Sequence, residues 1–150
     1  MTKEEEKQLL LKDLCARSYY QPFVQLNPGA YNKPEKCWIC GISGEDIYLN
    51  VDSDPFSLRN FNILPYLRPM SSMTEEELNE CVCQSGIKDI GCPNWQDLPK
   101  EKQFGARLNH AIAVFLTDSN NVDWLNAHHF DFRGLIEKGL ALEAPDGMYK

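Results

Sequence analysis

Turn-forming residues cut the stretch from Tyr19 to Pro69 into short pieces, and this limits the middle of the chain to short strands. The β-like runs Phe23-Val24-Gln25-Leu26, Lys36 to Ile42 and Asp46 to Val51 are separated by Asn27-Pro28-Gly29 and Ser43-Gly44-Glu45, residue types that punctuate strands. They predict an antiparallel meander whose second and third runs form a hairpin across the Gly-containing turn. Asp52-Ser53-Asp54-Pro55 breaks the chain again. Asn60 to Leu64 offers one more strand, after which Pro65 and Pro69 are expected to forbid regular pairing because proline cannot donate to a ladder.

Helix signals flank this region. Thr2 and Glu5 have capping-box spacing, and Leu9, Leu10, Leu11 and Leu14 follow, predicting a helix from Lys3 to Ala16 with its acidic first turn at the positive end of the helix dipole. Ser72 or Thr74, each three residues before a glutamate, caps a second helix from Glu75 to Cys83. Gln84 to Pro99 reads as a loop. Phe104, Leu108, Ala111, Ile112 and Phe115 recur at helical spacing, giving a helix from Lys100 to Leu116. The Asp118-Ser119-Asn120-Asn121 cluster caps a short helix over Val122 to His128, Asp131 caps another over Phe132 to Lys138 with Gly139 as its stop, and Leu140-Ala141-Leu142 makes a final edge strand. The expectation is an α+β fold in one globular domain, 1–150. It has an N-terminal helix, a small antiparallel sheet of three to five strands that can curl into an SH3-like half-barrel, and a C-terminal helical layer. A chain of 150 residues can bury about two thirds of its unfolded surface, enough for a core without metal or disulfide staples.

The formal charge of −7 repels phosphate backbones and anionic lipid. Lys33, Lys36, Arg59 and Arg68 are local basic spots, but no Lys/Arg stripe supports nucleic-acid binding through a general basic surface. The opening Met1-Thr2-Lys3-Glu4-Glu5-Glu6 is unlike a secretory leader, and no apolar run approaches the roughly 18 residues of a membrane span. A cytoplasmic setting is expected, with the six cysteines as reduced thiols. No G-x-S-x-G, phosphate loop or dinucleotide fingerprint occurs, so no cofactor is implied.

Chemistry concentrates in the run from Asp123 to Glu143, which holds His128 and His129. As an enzyme of hydrolase or nuclease type, it would use His128 or His129 as base, Asp123 or Asp131 to orient it, and Arg133 to hold an anion. Adjacent histidines on a helix diverge by about 100°, which argues against a shared metal. The competing reading is a structural clasp in which Trp124, Leu125, Phe130, Phe132, Leu135, Ile136 and Leu140 form the apolar face of a terminal helix pair, with His129 exposed. A DNA-reading helix-turn-helix is disfavoured by the mixed-charge face of Arg133, Glu137 and Lys138. Cys37 and Cys40 have the spacing of half a zinc site, with Cys81, Cys83 and Cys92 as further thiolates for a metal-stabilised interaction module. On a strand, however, residues i and i+3 point to opposite faces. The segment from Leu64 to Thr74, which carries two prolines, offers Tyr66, Arg68 and Met70 as protein-binding residues. It reads alternatively as a buried crossover strapping sheet to helices.

Three blocks, Met1 to Arg17, Leu64 to Glu77 and Asp123 to Tyr149, resemble a family of short uncharacterised proteins of gut Bacteroides-type bacteria and their phages or mobile elements. The resemblance implies a cytosolic bacterial or phage setting and brings no catalytic residues with it. The function expected from the sequence is a non-enzymatic protein-binding or regulatory accessory protein.

Overall fold

A computed structural model describes residues 1–27, 37–51, 54–59, 62–85, 95–115 and 119–149. The Pro28-Gly29 turn, Lys33, Lys36, Cys92 and the side chain of Cys83 lie outside what it describes. The described chain is α+β and forms two compact units: Met1–Pro69 with Asn126–Lys150, and Met70–Leu125.

The first unit opens with α1, Lys3–Arg17. Its start is set by a complete capping box: the Thr2 hydroxyl accepts the Glu5 N–H (3.2 Å) and Glu5 accepts the Thr2 N–H (2.6 Å). Six short strands follow, β1 Val24–Asn27, β2 Ile39–Ser43, β3 Asp46–Leu49, β4 Phe56–Ser57, β5 Asn62–Leu67 and β6 Leu142–Glu143. They form two three-stranded sheets, β1-β5-β6 and β2-β3-β4, instead of a single meander. The expected hairpin is β2-β3, with Ser43 opposite Asp46 and Gly44 at φ 62 in the first loop position. A II′-type loop needs positive φ there, which glycine supplies without strain. Among the described residues β1 does not pair along β2. It runs antiparallel to β5, and an isolated bridge from Phe23 to Trp38 is the only pairing described between the two sheets.

β5 continues through Pro65 as the middle strand of its sheet, contrary to the expectation that this proline ends pairing. Register explains why. Tyr66 N–H donates to Phe23 C=O (2.9 Å), so Pro65, opposite Val24, falls at the non-hydrogen-bonded position and owes β1 no N–H. On the other edge β6 begins only at Leu142, opposite Tyr66, and runs parallel to β5. The final edge strand expected at Leu140 to Leu142 therefore forms two residues later.

α1 and both sheets share one core of Leu10, Leu14, Val24, Leu26, Ile39, Ile47 and Ile63. Each such side chain contributes about 1.5–3 kcal/mol on burial. A second cluster, Leu67 with Leu135 and Ala141, holds the later chain to β5.

In the second unit, α2 spans Glu75–Ser85 behind its own capping box, with Thr74 rather than Ser72 as cap. α3 is Lys100–Phe115 and α4 is Ser119–Ala127. Arg107 of α3 reaches Glu75 (3.3 Å) and Asn79 (3.1 Å) of α2. The helix expected over Phe132 to Lys138 does not form; from His128 to Ala141 the chain turns repeatedly, with Gly134 and Gly139 at positive φ. No helix among the described residues is long and apolar enough to cross a membrane.

Candidate functional site

The polar run after α4 contributes to a buried charge cluster. Arg17, in the last turn of α1, has no solvent exposure; its Nε donates to Asp13 (2.8 Å) and its Nη2 to the Phe130 carbonyl (2.6 Å). Arg133 Nη1 donates to the other oxygen of Asp13 (2.6 Å). One fully buried carboxylate thus holds two guanidinium groups from distant parts of the sequence. Phe132 receives both from its faces, Arg133 at 4.3 Å and Arg17 at 5.5 Å from the ring centroid. It is half-buried and works as a cation–π partner, not as part of the apolar face of a helix.

Three catalytic candidates of the first unit, Asp131, His129 and Arg133, are engaged by other groups. Asp131 spends both oxygens on its own turn, accepting the N–H groups of Leu135 (2.8 Å) and Ile136 (2.9 Å); it caps, but what it caps is a turn. Asp123 is exposed on α4, and His128 is half-buried. His129, expected to be exposed, is 6% exposed and sits at φ 61. Its ring stacks on Tyr149 at 3.8 Å with 17° between planes. Among the described residues its Nδ1 has no hydrogen-bond partner. Burial first, then the positive fields of Arg17, His128 and Arg68, push its pKa down to about 3, far below what a general base near neutral pH needs. Arg133, the expected anion holder, is committed to Asp13.

Tyr149 carries no local signal that singles it out in the sequence. Its hydroxyl accepts the Phe23 N–H (3.0 Å) and donates to the Tyr66 carbonyl (2.7 Å). In a hydrogen-bonded antiparallel pair the two residues exchange both bonds directly; here Tyr66 N–H reaches Phe23 C=O, but the returning rung runs through the Tyr149 hydroxyl. Burial raises the phenol pKa, so it stays a neutral donor. Tyr149→Phe is expected to destabilise the protein by about 1–3 kcal/mol, since it strands a buried carbonyl and amide. Urea denaturation measures the loss, and faster hydrogen exchange of the Phe23 amide localises it.

The expected protein-binding residues are placed differently. Tyr66 is buried on β5 with its hydroxyl on Gln25 (3.1 Å). Arg68 lies over the Phe130 ring at 4.2 Å while its backbone bonds His129 and Asp131. Met70 is half-buried at the start of a 3-10 turn. Tyr66 and Arg68 thus hold partners within their own unit. Cys37, which precedes β2, is buried, and Cys40, at the irregularity in β2, is exposed. Burial raises the Cys37 thiol pKa. Cys81, in the second unit, is buried with its thiol pKa pushed up to about 12 by burial and Glu80. Among the described residues no three His, Cys, Asp or Glu side chains converge on a metal position.

A concavity with apolar lining lies elsewhere in the first unit. A groove of about 740 Å³ is lined by Lys3, Glu4, Glu6, Lys7 and Leu10 of α1, by Leu58 and Arg59, by Ile63 and Leu64 of β5, and by Gly139 and Leu140. Glu45 braces its rim, accepting from Lys7 (2.9 Å) and Arg59 (2.7 Å), and these two cations hold its carboxyl below the usual range. No signal short of the tertiary fold marks this groove, because its residues come from four separate stretches. No family model matches the chain, and neither a curated protein nor a solved structure is significantly similar to it.

Proposed function

We propose that this is a non-enzymatic accessory protein of a bacterium, phage or mobile element. It acts in the cytosol by binding another protein through the groove between α1 and β5. The observation that supports this reading is the groove's make-up: Leu10, Leu58, Ile63, Leu64 and Leu140 supply apolar surface, and Lys3, Glu4, Glu6, Lys7 and Arg59 surround it with charges of both signs. An apolar floor inside a polar rim is the anatomy of a protein interface. The mixed rim also fits an acidic chain that does not gather phosphate.

Selection from a displayed library of random peptides tests the proposal. The protein is expected to enrich sequences carrying spaced apolar residues. Leu64→Glu and Leu140→Glu, both at half-buried positions, are expected to weaken the selected peptide at least tenfold, about 1.4 kcal/mol, with unchanged far-UV circular dichroism. Tyr19→Ala, at an exposed aromatic away from the groove lining, should bind as the parent does. No enrichment, or full binding by both glutamate variants, removes the groove from the function.

A further inference from the structure

The turn after β6 builds a second, smaller concavity in the first unit. Phe23 with Pro145, Asp146, Gly147 and Met148 lines a pocket of about 280 Å³. Sites for drug-sized ligands run to roughly 300–1,000 Å³, so this one suits a single inserted side chain. It shares no lining residue with the groove, which makes the two separable by experiment.

The pocket is held in shape from behind. Phe23 meets Trp38 edge-to-face at 6.1 Å and leans on Tyr149 at 5.6 Å, and its N–H is fixed by the Tyr149 hydroxyl. Met148 N–H closes the turn onto the Pro145 carbonyl (3.1 Å), with Gly147 at φ 84, a conformation that a residue with a Cβ adopts only under strain. Asp146 is exposed, and no ion pair within the described chain involves it.

An aromatic ring, a thioether and a carboxylate with no ion pair among the described residues make an environment for a cation. The ring quadrupole attracts positive charge and the carboxylate accepts its N–H groups. This protein already uses such pairs internally, with Arg68 over Phe130 at 4.2 Å and Arg133 over Phe132 at 4.3 Å. The net charge of −7 favours approach of a cationic partner. Among biological cations the guanidinium fits best: it is planar, stacks on an aromatic face, sheds water more readily than an ammonium and can present two parallel N–H groups to one carboxylate.

We infer that this pocket receives the side chain of an arginine carried by a partner polypeptide, the guanidinium lying against Phe23 and paired with Asp146.

The test is a titration of the full chain, labelled at its methionine methyl groups, with N-acetylarginine N-methylamide, and in parallel with the neutral isostere N-acetylcitrulline N-methylamide. Nuclear magnetic resonance of the Met148 methyl reports pocket occupancy, while Met73, buried in the second unit, is the internal control. The expected result is a saturable shift of Met148 alone with the arginine compound, and binding at least tenfold weaker with citrulline. Asp146→Asn, at an exposed turn position, should reduce arginine binding to the citrulline level with the rest of the spectrum unchanged. Absence of a saturable shift, equal binding of citrulline, or undiminished binding by Asp146→Asn would each overturn the assignment.

Discussion

Replacing Asp13 with alanine will lower stability by about 3–5 kcal/mol, a large share of the roughly 5–15 kcal/mol that holds a domain of this size together. The reason is that, among the described residues, Asp13 is the only carboxylate bonded to Arg17, whose side chain is fully buried, and it holds Arg133 as well. Removing it leaves the buried Arg17 guanidinium without its counter-ion beside the partly exposed Arg133, and Arg17 Nη1 already has no hydrogen-bond partner among the described residues. Chemical denaturation of parent and variant measures the difference. The double variant Asp13→Leu with Arg17→Met is expected to recover most of the loss, because the penalty belongs to the stranded charge and not to the missing contact. A single-variant loss below about 1 kcal/mol would show that water reaches Arg17.

The second large effect is one of pH. His129 is neutral in the folded protein down to about pH 3, whereas in the unfolded chain it takes up a proton near pH 6.5. Below pH 6.5 the unfolded state therefore binds more protons, and stability falls as pH falls, by at most about 1.4 kcal/mol per unit, until the folded-state pKa is reached. Above pH 6.5 this contribution is fully present. By pH 4 the loss is expected to be on the order of 3 kcal/mol. Glu5 and Glu45, whose carboxyls are also held low, titrate in the same acid range, so the histidine is isolated by difference. His129→Asn keeps a side chain that tolerates positive φ and does not titrate. Denaturation midpoints of parent and variant from pH 7 to pH 4 should converge as pH falls; parallel curves would place His129 in contact with solvent.

Legibility in the sequence followed the range of the interactions. The capping box at Thr2 and Glu5 and the Gly44 hairpin involve neighbours within a few residues, and both were readable. Pro65 was misread because a proline's tolerance depends on which edge its missing N–H faces, and only the pairing partner, 41 residues away in Val24, decides that. Asp131 followed by spaced apolar residues looks the same whether the next N–H groups open a helix or close a turn; the two positive-φ glycines choose the turn. Arg17 reads as an ordinary helix-end cation until Asp13 is seen to serve Arg133 from 120 positions further on. The groove and the Phe23 pocket belong to the same class, since their walls come together only in the folded chain.

The discontinuity of the first unit, residues 1–69 joined by 126–150 with a second compact unit between them, fixes an order of events on the ribosome. When α1 and β1 to β5 have emerged, Arg17 still lacks the Phe130 carbonyl, Asp13 lacks Arg133, and the Phe23 amide lacks the Tyr149 hydroxyl. None of these can be supplied until residues 126–149 have been synthesised, while the intervening unit can collapse on contacts of its own. Closure across so long a loop makes folding slow relative to local helix formation. The nascent protein consequently passes through a stage in which its most polar interior is wet and its central sheet lacks one edge, the period in which it is most exposed to aggregation and to proteases.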